Sequence, residues 1–324
     1  MKERRKPLIK NGCFYNQENE KNVGFLFKST LMLFKVWANR LKEYSSNRNS
    51  WVLPSKPDQC CVNPTVTWIG HSSFLIQING VNILTDPIFG NFSFLLPRFL
   101  KPGISLGNIP NIDFVLISHN HRDHMDGPSL VALRDHNDIN FLVPKGDKLW
   151  FDNRSFARVK EHDWWEENSF KLKHDFSKKI TFTFLPAKHW SQRGIFDRNK
   201  SLWGSWLIEC EGKKVYFAGD TSCGPHFTEI GKEFTNIDAA LMPIGPCEPK
   251  SWIKHSHIDA EEACKAFLQL GARQFIPMHW GTFPLGTDHF EFPILQLKKW
   301  FRENESQLSD KSIQFPKMGE PLLF

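Results

Sequence analysis

The chain has 324 residues, enough for one large domain or two ordinary ones, and its 40% hydrophobic and 23% charged content is that of a soluble globular protein with ample core. Its net charge of +6 is concentrated at one end: residues 1–50 hold 11 Lys and Arg against 4 Asp and Glu, while the remainder stands at −1. A near-neutral body lacks the basic track that nucleic acid requires, so none is expected as a partner, and any anionic partner belongs to the N-terminal segment.

Residues 1–22 are polar and basic and are expected to be poorly ordered. Over 23–44 the spacing is helical. Phe27, Leu31, Phe34, Ala38 and Leu41 form one stripe, and Lys28, Lys35 and Lys42 recur on another. Such a face, with Trp37 beside it, suits either a helix lying on an anionic membrane surface or one packed on the protein's own body. Residues 45–64, rich in Ser, Asn and Pro, read as a linker. The chain thus divides into a basic N-terminal segment, 1–59, and a body, 60–324. No run reaches about eighteen uncharged apolar residues, so no spanning helix is expected. Seven cysteines without framework spacing, none in a Cys-x-x-Cys pair, suggest reduced thiols in a cytosolic compartment and no thiolate zinc site.

In the body, β-branched and aromatic runs predict strands at 65–69, 73–78, 81–85, 114–117, 180–185, 203–209, 214–218, 239–242 and 275–278. Helical patterns interleave at 127–134, 227–232 and 259–270, the last with Asp259 as N-cap and Glu261 and Glu262 in its first turn. The mix predicts two mostly antiparallel sheets with outer helices. The run 92–100, broken by Pro97 and Arg98, reads as an exposed loop, a dimer interface or a lid. Twelve Trp and 29 Phe exceed what a core needs, and this surplus is assigned with that run to membrane contact.

Directly after the strand at 114–117 stands Ser118-His119-Asn120-His121-Arg122-Asp123-His124. Side chains leaving a strand end can converge, and neutral imidazole with carboxylate suits a divalent transition metal, most often zinc. Three more strand ends present metal-capable groups: His189 after 180–185, Asp220 after 214–218 and His279 after 275–278. A three-imidazole site (His119, His121, His189) and a mixed site (Asp123, His124, His279) would leave Asp220 to bridge two ions. Such a pair activates a water or hydroxide and neutralises charge on a phosphoryl or carbonyl oxygen.

The His-x-His-x-Asp-His segment with these downstream groups resembles the metallo-β-lactamase superfamily, whose fold is an αβ/βα sandwich. Other segments resemble its branch of N-acylphosphatidylethanolamine-hydrolysing phospholipases D: Val66-Thr67-Trp68-Ile69-Gly70-His71, Leu84-Thr85-Asp86-Pro87-Ile88-Phe89, Asp163-Trp164-Trp165-Glu166-Glu167-Asn168, Leu202-Trp203-Gly204-Ser205-Trp206, Phe217-Ala218-Gly219-Asp220-Thr221 and Met278-His279-Trp280-Gly281-Thr282-Phe283. The resemblance covers roughly residues 60–324. It implies two zinc ions held by the residues named above, with Asp123 also part of the catalytic centre, and Asp86 behind the metal loop rather than a ligand. It implies His257 as a catalytic and substrate-binding residue near the substrate phosphate. The glutamine expected beside it is Ser256 here, and Tyr15-Asn16-Gln17 departs from the branch's Asn-Pro aromatic segment. His71 is read as holding its loop, and His136, His162, His174, His226 and His289 as surface or core histidines. The implied activity is hydrolysis of N-acylphosphatidylethanolamine to an N-acylethanolamine and phosphatidic acid by a peripherally membrane-associated cytoplasmic enzyme, possible as a homodimer. The alternative is a lactonase or a hydrolase of soluble phosphodiesters on the same metals.

Overall fold

The computed structural model describes residues 4–17, 48–61, 63–94, 96–135 and 138–324. The amphipathic pattern over 23–44 and His136 lie outside them. A two-stranded hairpin, β1 (Leu8–Lys10) and β2 (Cys13–Tyr15), comes first. The first half of the body then runs through β3 (Thr65–Gly70), β4 (Ser73–Ile78), β5 (Val81–Thr85), β6 (Phe114–Leu116), α1 (Gly127–Arg134), β7 (Asn140–Pro144), α2 (Lys148–Asp152) and β8 (Val159–His162). The second half holds β9 (Glu167–Lys171), β10 (Lys179–Leu185), β11 (Ser205–Cys210), β12 (Lys213–Phe217), α3 (His226–Glu233), β13 (Ala239–Pro243), α4 (Lys250–Ile253), α5 (Ala260–Leu270), β14 (Gln274–Met278), α6 (Phe292–Glu303), β15 (Ser312–Ile313) and β16 (Pro321–Leu323).

These strands build two seven-stranded sheets, ordered β16-β3-β4-β5-β6-β7-β8 and β15-β14-β13-β12-β11-β10-β9. Each is mixed in the same way, with three antiparallel pairs on one side and three parallel pairs on the other. The expected sandwich of two sheets with outer helices is the fold observed.

The period-2 alternation of the sequence explains the layering. On β6, Phe114 and Leu116 face the other sheet, whereas Val115 sits with Leu130 and Leu133 of α1 in a second core on the outer face. On β4, Phe74 and Ile76 face inward and Leu75 outward. Both faces of these strands are therefore buried, as the parallel half of a sheet requires. Trp68, Trp203, Trp206, Phe74, Phe182, Phe184 and Phe217 are fully buried in the inner layer. Burying a Phe side chain is worth about 1.5–3 kcal/mol. Much of the aromatic surplus is thus core, which corrects its assignment to membrane contact.

Two other expectations change. Residues 8–15, expected to be poorly ordered, form the hairpin: Phe14 is buried in the main core, and its N–H donates to the Asn199 carbonyl at 2.8 Å. Arg5 pairs twice with Glu229 of α3, both contacts at 3.0 Å. The stretch read as a linker is likewise anchored: Val52 pairs with Met318, and Trp51 stands edge-on to Trp280 and donates to Glu291 at 2.7 Å. In the run 92–100, Phe92 packs edge-on to Phe283 and Leu100 is buried, leaving Phe94 95% exposed. Among the described residues no helix is long and apolar enough to cross a membrane.

Candidate metal centre

The site lies at one edge of the sandwich, where strands of both sheets end. His71 and Asp86 are the residues immediately after β3 and β5, His279 follows β14, Asp220 stands three residues beyond β12, and His189 four beyond β10. His119, His121, Asp123 and His124 lie on the loop from β6 to α1. Three of these positions, His71, Asp86 and His279, have positive φ (55°, 33° and 60°), strained backbone of a kind that collects at functional sites. Gly219, at φ 59°, brings the two sheets' loops together. A Cβ there would stand 2.5 Å from the Ser118 Cβ and 2.9 Å from the Gly204 carbonyl oxygen, so no other residue fits.

The imidazoles are oriented by what their outer nitrogens touch. His124 Nδ1 donates to Asp86 Oδ2 at 2.7 Å, His189 Nδ1 to the Ser256 carbonyl at 2.7 Å and His279 Nδ1 to the Gly245 carbonyl at 2.8 Å. His119 Nδ1 lies 2.9 Å from Ser118 Oγ. Each of the four therefore turns Nε2 inward, the tautomer a metal ligand needs. Asp86 also accepts from Ser118 N at 2.7 Å and Ser118 Oγ at 2.5 Å, which fixes the start of the metal loop. The contact to position 256 is made by backbone, so the serine standing there in place of glutamine leaves it intact.

All seven side chains expected as ligands converge. His119 Nε2 and His189 Nε2 lie 2.8 and 3.2 Å from His121 Nδ1. Asp220 Oδ2 lies 3.2 Å from His124 Nε2, 3.1 Å from His279 Nε2, 3.9 Å from His119 Nε2 and 3.8 Å from His189 Nε2, which places it between the two groups. Asp123 Oδ2 is 3.7 Å from His124 Nε2. His257 Nδ1 approaches Asp220 Oδ2 to 3.7 Å.

Their electrostatics point to a cation. Burial lowers the His119 imidazole well below its ordinary value, and holds His121 at about 4 and His189 and His257 at about 3, so these rings are neutral with lone pairs to give. Burial opposes charge on His124 too, but Asp220 and Asp123 outweigh it and push it well above the ordinary range. Burial likewise works against the charge on Asp220 and Asp123. The facing imidazoles win, His124 first in each case, and hold both carboxyls well below the usual range. His257 Nδ1 and Asp220 Oδ1 are buried without any hydrogen-bond partner, and His124 Nε2 and His279 Nε2 have only the shared Asp220 Oδ2 beside them, not aligned for a hydrogen bond. Buried polar atoms normally have partners, and two carboxylates ringed by imidazole nitrogens call for positive charge among them, which the His124 proton or a bound cation supplies. The donor set, nitrogen and oxygen without thiolate, fits divalent transition metals.

His71 does more than hold its loop, because its Nε2 donates to Asp123 Oδ2 at 3.0 Å and so orients an expected ligand. Its signal was present in the sequence, as a polar side chain just past a strand end, the same signal that marked His279. His162 and His226 are buried away from the cluster.

A family model described as the Beta-lactamase superfamily domain matches residues 81–280. The chain is 35% identical over 266 residues to N-acyl-phosphatidylethanolamine-hydrolyzing phospholipase D 1 of Caenorhabditis elegans, covering 78% of this chain and 74% of that one. It is 36% identical over 241 residues to the mitochondrial N-acyl-phosphatidylethanolamine-hydrolyzing phospholipase D of Saccharomyces cerevisiae, covering 72% of this chain but only half of that one. The solved structure of Igni18, a metallo hydrolase from the archaeon Ignicoccus hospitalis, has the same fold (TM-score 0.60, 24% identity, 81% of this chain and 99% of that one). Matching domain, sandwich and divalent-metal site together make this chain a member of the metallo-β-lactamase superfamily, similar to its N-acylphosphatidylethanolamine-hydrolysing phospholipases D.

Proposed function

We propose that the chain is a zinc-dependent phosphodiesterase with two metals, hydrolysing N-acylphosphatidylethanolamine to an N-acylethanolamine and phosphatidic acid. The observation that carries this reading is the convergence of seven metal-capable side chains in a chain 35% identical to a nematode protein named for that activity. His119, His121 and His189 would hold one ion, Asp123, His124 and His279 the other, with Asp220 between. Bound there, divalent ions supply Lewis acidity toward a phosphoryl oxygen and a water acidic enough to ionise near neutral pH.

The chain's own groups supply orientation and contact with substrate. Asp86 keeps His124 in one tautomer, and His71 keeps the Asp123 carboxylate turned inward. The Asp123 and His257 side chains, 14% and 18% exposed, lie with the half-buried His121 where the cluster meets solvent, so a phosphate would arrive against this edge. Burial leaves His257 neutral at pH 7, which favours hydrogen-bond donation to a phosphate oxygen over delivery of a proton. A lipid substrate would enter on the side of Phe283, which stands edge-on to both His71 and Phe92, two residues from the exposed Phe94. An exposed aromatic beside the entrance supports a peripheral place on a membrane surface, and the free cysteines support the cytoplasmic side.

The test is to measure bound metal in the purified protein and incubate it with N-acylphosphatidylethanolamine in mixed micelles, with a soluble phosphodiester and a lactone in parallel. The reading expects about two metals per chain, N-acylethanolamine by mass spectrometry, and its loss in Asp220→Ala and His279→Ala. Turnover of the soluble compounds alone would discard the lipid substrate, and full activity in either variant would discard the metal assignment.

A further inference from the structure

The loop that follows His189 reaches back across the site to the segment carrying the other expected ligands. Arg193 lays its guanidinium over the Trp150 ring, 4.8 Å from the centroid. Its Nη1 donates to the Met125 carbonyl at 2.5 Å and, at longer range, to the Asn120 carbonyl at 3.4 Å. Residues 120 and 125 bracket His121, Asp123 and His124. The grip is reciprocal, since Arg122 Nη2 donates to the Arg193 carbonyl at 3.3 Å.

Both ends of this brace are themselves fixed. Asp197 Oδ1 accepts from the backbone N–H of Arg193 at 3.2 Å and of Gly194 at 2.8 Å, which pins the turn that presents the guanidinium. Asn120 donates from Nδ2 to Asp147 at 3.0 Å, both side chains being buried. Asn120 and Met125 are buried as well, so carbonyls that lose the guanidinium do not simply exchange it for bulk water. A planar cation that stacks on an indole while its edge reaches two carbonyls is a task for arginine.

We propose that Arg193 is a positioning residue that ties the loop 119–124, borne by the first sheet, to the His189 loop, borne by the second, and thereby sets the spacing of the two groups of ligands. This rests on the metal-ligand reading above. Parent, Arg193→Met and Arg193→Lys are compared by zinc affinity against a competing chelator, by the visible spectrum with cobalt(II) in place of zinc, and by thermal unfolding of the metal-free proteins. Removing a direct hydrogen-bond partner of a metal ligand commonly costs about 10–100-fold in affinity. Arg193 acts one step further out, through the backbone on either side of the ligands, so a loss of about tenfold is the measure. That loss is expected in Arg193→Met, with a changed cobalt spectrum well below its melting temperature. Arg193→Lys, which keeps one nitrogen donor, is expected to fall between. A folded Arg193→Met that binds zinc with parental affinity and gives the parental cobalt spectrum overturns the proposal. Should the Met variant fail to fold, the Lys variant decides, and parental affinity and spectrum there count against the brace. A parent that binds no zinc removes the ligand reading itself, and this inference with it.

Discussion

Asp86 shows how much a residue outside the ligand cluster decides. It accepts from Ser118 twice and from His124, and burial raises its carboxyl above the usual range despite those donors. Asp86→Asn would turn an amide donor toward groups that are themselves donors, so the His124 tautomer is lost while the fold persists. We expect zinc affinity to drop by about 10–100-fold; unchanged affinity in chelator competition would show that Asp86 does not set the ring. His162 carries a pH effect separable from the metal. Burial pushes its imidazole down to about 4. The geometry agrees, because Nδ1 donates to the Lys160 carbonyl at 3.1 Å while Nε2 accepts from Asn168 at 2.7 Å, which only the neutral ring can do. The unfolded chain takes up that proton near 6.5, so the contribution is complete above pH 6.5 and is lost as pH falls toward 4. In metal-free protein, the stability advantage of the parent over His162→Phe should shrink by about 3 kcal/mol between pH 7 and pH 4. Denaturant titrations at both pH values read this directly, and a constant difference would refute it.

At the scale of elements, α5 was legible because its ends are written in the sequence. Asp259 accepts from Glu262 N, Glu262 reaches back to the Asp259 N–H, and Gly271 closes the helix at φ 76°. Asp259→Ala should cost about 1 kcal/mol, seen as a lower melting temperature with metal content unchanged. The last helix, α6, went unread because its N-cap Glu291 makes no capping bond, and Pro293, although favourable in a first helical turn, fits a loop equally well. Strands β8 and β9 were missed for a related reason. Both are edge strands, half-exposed and rich in charge, without the apolar alternation that marked β3 to β6. The expected ligands were legible because each follows an apolar run. Arg193 was not, because it sits in a polar loop and its partners are backbone carbonyls, which leave no trace in side-chain chemistry. Gly219 belongs to this scale too, as the point where a loop of one sheet rests on a loop of the other. Gly219→Ala meets both a strained φ and a 2.5 Å approach to Ser118. Its cost should exceed the ~1 kcal/mol of an ordinary glycine replacement, with metal content falling in parallel. Parental melting and metal content would mean that the contact yields.

For the whole molecule, the consequence is linkage. Groups from both sheets meet at one centre, so an ion held there is bound by the folded sandwich and not by either sheet alone. A ligand present at a hundred times its dissociation constant adds about 2.7 kcal/mol to such a fold. Chelation should therefore lower the melting temperature, and restoring zinc should raise it in proportion to the logarithm of free metal. A melting temperature indifferent to metal would place the centre outside the cooperative unit. The N-terminal hairpin adds a constraint of time. Arg5 must wait for Glu229, 224 residues later, and Asn16, which donates to the His189 carbonyl at 2.9 Å, for a partner 173 residues later. At about 5–20 residues per second, a ribosome needs roughly ten to forty seconds to make that seat. Until then Phe14 has no core to enter, and a stalled ribosome would hold this aromatic side chain out to chaperones.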